Sequence, residues 1–313
     1  MRILFSFLLL IIIILLSFLI GPIWIRPDKI LADPIFWQIR MPRVLLAALV
    51  GMMLSVSGAV LQGALKNPLA DPYILGVSAG AAVGAALAIS LKLAFSVFGI
   101  SSIPFMAFIF SIAMVFLVYW LAKNKEGINP QILILSGVAV SAFASAVLAL
   151  IIIISGQIQS IYFWMLGSFS MASMNDVFTL LPYYLAGLFF AYFYSKELNV
   201  LMLGDDLAGT MGVDVLKTRM FLIVIATLMT SAAVSVSGLI GFVGLIIPHF
   251  VRMFCGQNYR LILIYSALCG ALLMLVADAL ARTVLSPMEI PIGIIMALIG
   301  APFFLYILRR NKR

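Results

Sequence analysis

Charged side chains are scarce in this chain: Asp, Glu, Lys and Arg make up 10% of its 313 residues, where a soluble domain carries about 25%. That shortage excludes a soluble globular fold. Histidine occurs once, at His249, and cysteine twice, at Cys255 and Cys269. No spacing among them matches a metal-ligand set or a redox pair, and both cysteines read as small buried apolar residues. The chain has no glycine-rich loop ending in Lys-Ser/Thr to hold a nucleotide, and no triad or carboxylate couple in a cleft. No catalysis, cofactor or metal is therefore expected of the chain itself. Nothing marks off a soluble segment, so residues 1–313 read as one domain.

What the chain has instead is apolar length. Hydrophobic residues make up 65% of it, and its mean hydropathy is +1.24. This is the signature of a polytopic, all-α integral membrane protein. The net charge of +8 does not point to nucleic acid, because the basic residues sit at the ends of apolar runs, where they orient helices. Spans of about 20 residues are expected at 3–22, 44–65, 73–91, 104–122, 131–155, 177–195, 220–237, 239–255, 261–281 and 290–308. The first run lacks a small-x-small cleavage site before Gly21 and Pro22, so it reads as a retained span rather than a signal peptide. The parity depends on 220–255, interrupted only around Ser235-Val236-Ser237-Gly238. Ten spans leave Arg26, Lys29, Arg40, Arg43, Lys92 and Arg282 outside and the other thirteen of the 19 basic residues inside, as the positive-inside rule requires. Nine would export the basic tail. Both termini are thus expected in the cytoplasm, with Trp24, Trp37 and Trp164 near the outer interface and Trp120 near the inner one.

Ionisable residues within spans are few: Asp278 and His249, with Arg252, Arg282 and Glu289 near the ends. Asp278 and Arg282 are four apart and can pair, while His249 reads as a packing or capping residue. No ladder of carboxylates follows a path, which disfavours an ion-coupled secondary carrier, the alternative from another class. Small residues are plentiful, as at Gly76, Gly80 and Gly84. They let helices approach closely, and Ser141 and Ser145 share one helical face that could line a passage. Ser-Val-Ser-Gly occurs at 55–58 and again at 235–238, in the second and seventh spans, a hint of two inverted five-helix halves. The longest stretch unsuited to lipid is 196–219, KELNVLMLGDDLAGTMGVDVLKTR, which the charge count places in the cytoplasm.

Several blocks go beyond composition. Residues 38–84 read QIRMPRVLLAALVGMMLSVSGAVLQGALKNPLADPYILGVSAGAAVG, carrying I-R-x-P-R, S-G-x-x-x-Q, N-P-L-A-x-P and L-G-x-S-x-G-A in order. Further blocks follow at Leu133-Ile-Leu-Ser-Gly, Trp164-Met-Leu-Gly-Ser-Phe, Leu203-Gly-Asp-Asp-Leu-Ala-Gly-Thr-Met-Gly, Gly238 through His249, Glu289-Ile-Pro-Ile-Gly and Gly300-Ala-Pro-Phe-Phe. Together they cover nearly the whole chain. They resemble the permease subunit of ATP-binding-cassette (ABC) importers, of the type II class, for ferric siderophores, haem and cobalamin.

The resemblance implies a permease in the bacterial cytoplasmic membrane, paired with a second copy or a homologous permease. Two ABC ATPase subunits would hold ATP and Mg, and a periplasmic substrate-binding protein would deliver the cargo. A ferric siderophore is the expected cargo, with haem, cobalamin or an oxyanion as alternatives. Arg40, Arg43 and Arg282 match the arginines that dock carboxylates of the binding protein, and outward-facing guanidinium forks suit that task. Gly204, Asp205, Asp206, Ala208 and Gly212 match the segment that couples to the ATPase, with aspartate where the family has glutamate. There the aspartates would start a short helix, and Gly209 and Gly212 would permit tight turns. Asn129, Pro130 and Gln131 match the inner gate.

Overall fold

The computed structural model describes residues 2–21, 32–97, 99–124, 127–128 and 130–310. An apolar helix falls within each expected span: α1 (Arg2–Leu19), α2 (Met41–Ala64), α3 (Val77–Ser90), α4 (Ser102–Ala122) and α5 (Pro130–Ser155), then α7 (Met174–Phe193), α10 (Val215–Ser237), α11 (Val243–Cys255), α12 (Tyr259–Thr283) and α13 (Ile292–Arg310). Three short helices lie between them: α6 (Ile158–Met165), α8 (Ser195–Leu201) and α9 (Asp205–Thr210). By length and composition, α2, α4, α5, α7, α10 and α12 can cross a membrane. α3 and α11, with 14 and 13 residues, are shorter. Two tiny hairpins, Ser96–Val97 with Ile100–Ser101 and Lys123–Asn124 with Gly127–Ile128, flank α4.

The bundle is built around α2, whose side chains are buried on every face. It packs on α10, α11 and α12, and α10 in turn packs on α2, α3 and α4. With no hydrophobic force separating helix from lipid tail, close approach and hydrogen bonds must hold such helices together. At the α2–α11 crossing, a Cβ on Gly58 would lie 1.9 Å from the carbonyl oxygen of Gly244. Any side chain there would push α11 away. Ser55 Oγ donates 2.7 Å to the Ser266 carbonyl of α12, and Ser111 and Ser231 share a 2.7 Å bond between α4 and α10. The two Ser-Val-Ser-Gly copies thus differ in use, since Ser235 Oγ turns back to Ala232 of its own helix. In contrast with this buried pair, α5 presents Leu135, Phe143, Ile153 and Ile154 outward.

Two expected spans are not continuous helices. α3 has 14 residues and α11 has 13, about 20 Å each, against a hydrocarbon layer of about 30 Å. The block 220–255 is divided because Gly238 and Phe242 both take left-handed backbone conformations, at φ 71° and 70°. Before α3, a 3₁₀ turn at Pro72–Leu75 is started by Asp71, whose carboxylate accepts from Tyr73 N at 2.8 Å. Unwound backbone is tolerable at membrane depth only when its polar groups find partners in the protein. Here the two breaks satisfy each other: Tyr73 Oη donates to the Ile240 carbonyl at 3.0 Å and accepts from Ile240 N at 2.9 Å.

Candidate functional site

The three arginines and the 204–212 segment singled out in the sequence lie at opposite ends of α2, whose 24 residues make it about 36 Å long. At its start, Arg40 and Arg43 meet the last turn of α12 and the end of α1. The first surprise is burial: Arg40, Arg43 and Arg282 are 4%, 5% and 3% exposed, so the outward-facing forks expected from the sequence are not what the fold builds. Arg43 Nε donates to Asp278 Oδ1 at 2.9 Å, and its Nη1 donates to both Glu289 oxygens at 2.7 and 2.9 Å. Arg282 Nε lies 3.0 Å from Asp278 Oδ2, the i, i+4 pair anticipated above.

The remaining guanidinium hydrogens explain the burial. α1 ends at Leu19, and the last carbonyls of a helix have no partner within it. Arg40 Nη1 donates to the Phe18 and Leu19 carbonyls at 2.8 and 2.9 Å, and Arg282 Nη1 to that of Ile20 at 2.9 Å. Cations are favoured at the negative end of a helix, so Arg40 and Arg282 serve as caps, and Arg282 is an ion-pair partner as well. Of the four-residue network formed with Asp278, only Glu289 reaches solvent, its side chain 36% exposed while that of Asp278 is 0%.

Glu289 opens onto a cavity of about 730 Å³, lined by Trp164, Ser168, Asp176, Ser235 and Ser237 among others. Asp176 is held by a capping box at the start of α7, with Ser173. Two carboxylates and a row of hydroxyls line this cavity, and no Lys or Arg is among its described lining residues. Sequence reasoning had no way to assemble it, since its walls come from five separate segments. Ser141 and Ser145 line a second space of about 180 Å³ with Ser78, Met165 and Leu239, and Ser145 Oγ donates to the Ser141 carbonyl at 2.8 Å.

At the other end of α2 stands the segment expected from the sequence to couple to an ATPase. The stretch 196–219 is mostly helical: α8, then α9, then the first turn of α10, which Asp214 caps through Lys217 N at 3.1 Å. Gly204 and Gly212, at φ 123° and 84°, make the two bends. Gly209 lies inside α9 and makes no turn, contrary to its expected role. Ala208 is the buried residue of α9. The two aspartates, read as a pair, face different ways. Asp206 is exposed, whereas Asp205 Oδ1 accepts from Lys66 Nζ at 2.8 Å and Arg219 Nη2 at 2.7 Å. Arg219, itself buried, also donates to the Ala64 carbonyl at the end of α2, at 2.9 Å. Partial burial opposes ionisation of Asp205, but the Lys66 and Arg219 bonds outweigh it and hold the carboxyl below its ordinary range.

Of the expected gate, Asn129 lies outside the described residues. Pro130 opens α5, and Gln131 is exposed beside it. Close to this same end of α2 lie Gln62 and Tyr259, which the sequence reading gave no role, and Arg252, which it placed only near a span end. Gln62 is buried in α2, Tyr259 is buried at the start of α12, and the Arg252 guanidinium stands between them. A glutamine inside an apolar run was the available signal. Among the described residues, no group of His, Cys, Asp or Glu is placed to hold a metal ion.

The family model of the FecCD transport family matches residues 9–310. The chain is 44% identical over 291 residues to the uncharacterised ABC transporter permease YvrB of Bacillus subtilis, covering 92% of this chain and 82% of the relative. It is 45% identical over 282 residues to the cobalamin import permease BtuC of Halobacterium salinarum, covering 90% and 75%. A solved structure described as a metal-chelate type ABC transporter in an inward-facing conformation superposes with a TM-score of 0.88, at 35% identity and 99% coverage of both chains.

Proposed function

Because the chain belongs to the FecCD transport family, we propose that it is the membrane permease of an ABC importer carrying a metal chelate into the cytoplasm. The observation that carries this reading is the match in fold over 99% of the chain to the metal-chelate type transporter. A soluble ATPase would grip α8–α9, among the described residues the folded segment outside the long apolar helices that offers an exposed acidic face. Family membership leaves the ion-coupled carrier without support.

The topology we propose has ten crossings, both termini in the cytoplasm, and two inverted halves in which α2 corresponds to α10 and the short α3 to the short α11. The reciprocal packing of α2 and α10 supports that correspondence. The working unit pairs two permeases, identical or homologous, with two ATPase subunits that bind ATP and Mg. The apolar outer face of α5 would meet the second permease, bringing Ser141 and Ser145 to a passage whose inner end is gated at 129–131. A binding protein outside the membrane delivers cargo to the end holding Arg40, Arg43 and Arg282. Since Glu289 already occupies Arg43, docking there exchanges one carboxylate for another.

The cavity beside Glu289, with carboxylates and no described basic lining residue, opposes an oxyanion cargo. A ferric siderophore, haem or a corrinoid fits the chelate class, and the cobalamin permease among the relatives makes a corrinoid a specific candidate beside the ferric chelates. Proteoliposomes holding the permease, its ATPase and its binding protein should take up one of these chelates on ATP addition. Uptake on an ion gradient with no ATPase present would refute the reading.

A further inference from the structure

We infer that Gln62, Arg252 and Tyr259 are positioning residues that relay movement of the ATPase-facing segment α8–α9 to the break before α11. The inference rests on the coupling role proposed for α8–α9. It begins with a proline. Pro248 lies within α11 and has no N–H, so the carbonyl four residues earlier, on Gly244, loses its helical donor. A buried carbonyl left alone is costly. Gln62 supplies the missing donor from α2: its Nε2 lies 3.2 Å from Gly244 O and 3.4 Å from Leu245 O.

The same amide is held at its other end. Gln62 Oε1 accepts from Arg252 Nη1, and Arg252 Nη2 donates to Tyr259 Oη at 3.0 Å. The guanidinium carbon stands 5.7 Å from the centre of the Tyr259 ring, within cation–π range. Tyr259 then reaches α8: its backbone N donates to Asn199 Oδ1 at 2.9 Å, and its hydroxyl lies 3.8 Å from the Met202 sulfur. Packing leaves little slack, since a Cβ on Gly63 would meet both the Tyr259 ring and Leu198 of α8, at 2.7 and 2.8 Å.

The chain of contacts therefore runs from α8 through the start of α12 and the end of α11 to the proline-weakened first turn of α11. That turn adjoins the unwound residues 238–242, which Tyr73 holds. A simple brace across α11 would need only the donor to Gly244. Here both ends of the Gln62 amide are committed, which fixes its orientation and joins the weak turn to α8 in one continuous network.

The test uses the full complex with its ATPase and binding protein in proteoliposomes. Arg252→Lys keeps the charge but has no planar fork to reach both Gln62 and Tyr259. Gln62→Glu keeps the partner of Arg252 but removes the donor to Gly244. Both variants should retain the ATPase on purification and keep basal ATP turnover. Both should lose about tenfold in the stimulation of turnover by loaded binding protein, and transport should fall with it. If stimulation and transport per ATP stay normal, or transport falls only in proportion to lost folded protein, the relay is refuted. Gly212→Trp, which leaves this network intact, separates the two ideas. Should it stay coupled, the role of α8–α9 itself fails; should it uncouple while both relay variants stay coupled, the relay alone fails.

Discussion

The two ends of α2 use one device in two settings. At each, arginine caps the last carbonyls of a helix and holds a carboxylate: Arg40 and Arg282 at the end of α1, with Asp278; Arg219 at the end of α2, with Asp205. Asp278 is fully buried, while the Asp205 side chain is 42% exposed. Solvent access decides what the device can do. A buried charge pair resists any change because losing one partner strands the other away from water, whereas an exposed pair is screened and contributes little to stability. One end is therefore fixed, and the other can be moved by a partner.

The sharpest break of that comparison is Asp278→Ala, expected to cost about 3–5 kcal/mol and to show as lost folded yield and a lowered melting temperature in detergent. Charge reversal at Arg40 together with Arg43 should likewise reduce folded yield along with binding-protein capture, because it sets carboxylates against the α1 carbonyls and Asp278. Next in size, Gly212→Trp should cut ATPase stimulation about tenfold with the protein still folded; beyond its chain neighbours nothing lies within 4 Å of a Cβ added there, so the cost to melting is confined to the strain of a side chain at φ 84°, about 1–2 kcal/mol. Unchanged stimulation would make α8–α9 a mere connector. Glu289→Gln weakens the hold on Arg43 from its solvent side and should strengthen capture of the binding protein by a few-fold in a pull-down titration. Weaker capture would remove Arg43 from the docking surface.

The smallest effect is on pH. The Asp205 carboxyl titrates below its ordinary value, so whatever the pair contributes is present above about pH 4 and is lost only as pH falls through the lowered pKa. Coupling should be flat across the neutral range for wild type and Asp205→Asn alike, and a step near neutrality abolished by Asp205→Asn would contradict the assignment.

Reading the sequence located the long apolar helices well because burial in lipid or protein demands the same composition along their whole length. It also found the 196–219 segment, whose charges are too many for lipid. It failed where tertiary contact reverses local expectation. Arginines at a span end read as exposed, yet those at 40 and 282 are covered by residues 17–20, and that at 43 is held by Asp278 and Glu289. Likewise α11 read as a full span, because Gly238 and Phe242 break it without adding polarity. Asp205 and Asp206, adjacent and chemically identical, are divided only by the direction that helix α9 gives each side chain. The Arg43–Glu289 pair and the Gln62–Gly244 contact join residues 246 and 182 positions apart, which no local pattern encodes.

The hydroxyl of Tyr73 has one more consequence. It serves both polar groups of Ile240, so the two bonds cannot be surrendered one at a time by shifting the chain; parting the breaks bares an amide and a carbonyl together. In a medium without water that is prohibitive, and the separation must proceed with water entering behind it. Opening of this seam is thereby tied to wetting. Hydrogen exchange at the Ile240 amide should then report the fraction of time this seam is flooded, rising as the transporter cycles and remaining slow when it rests.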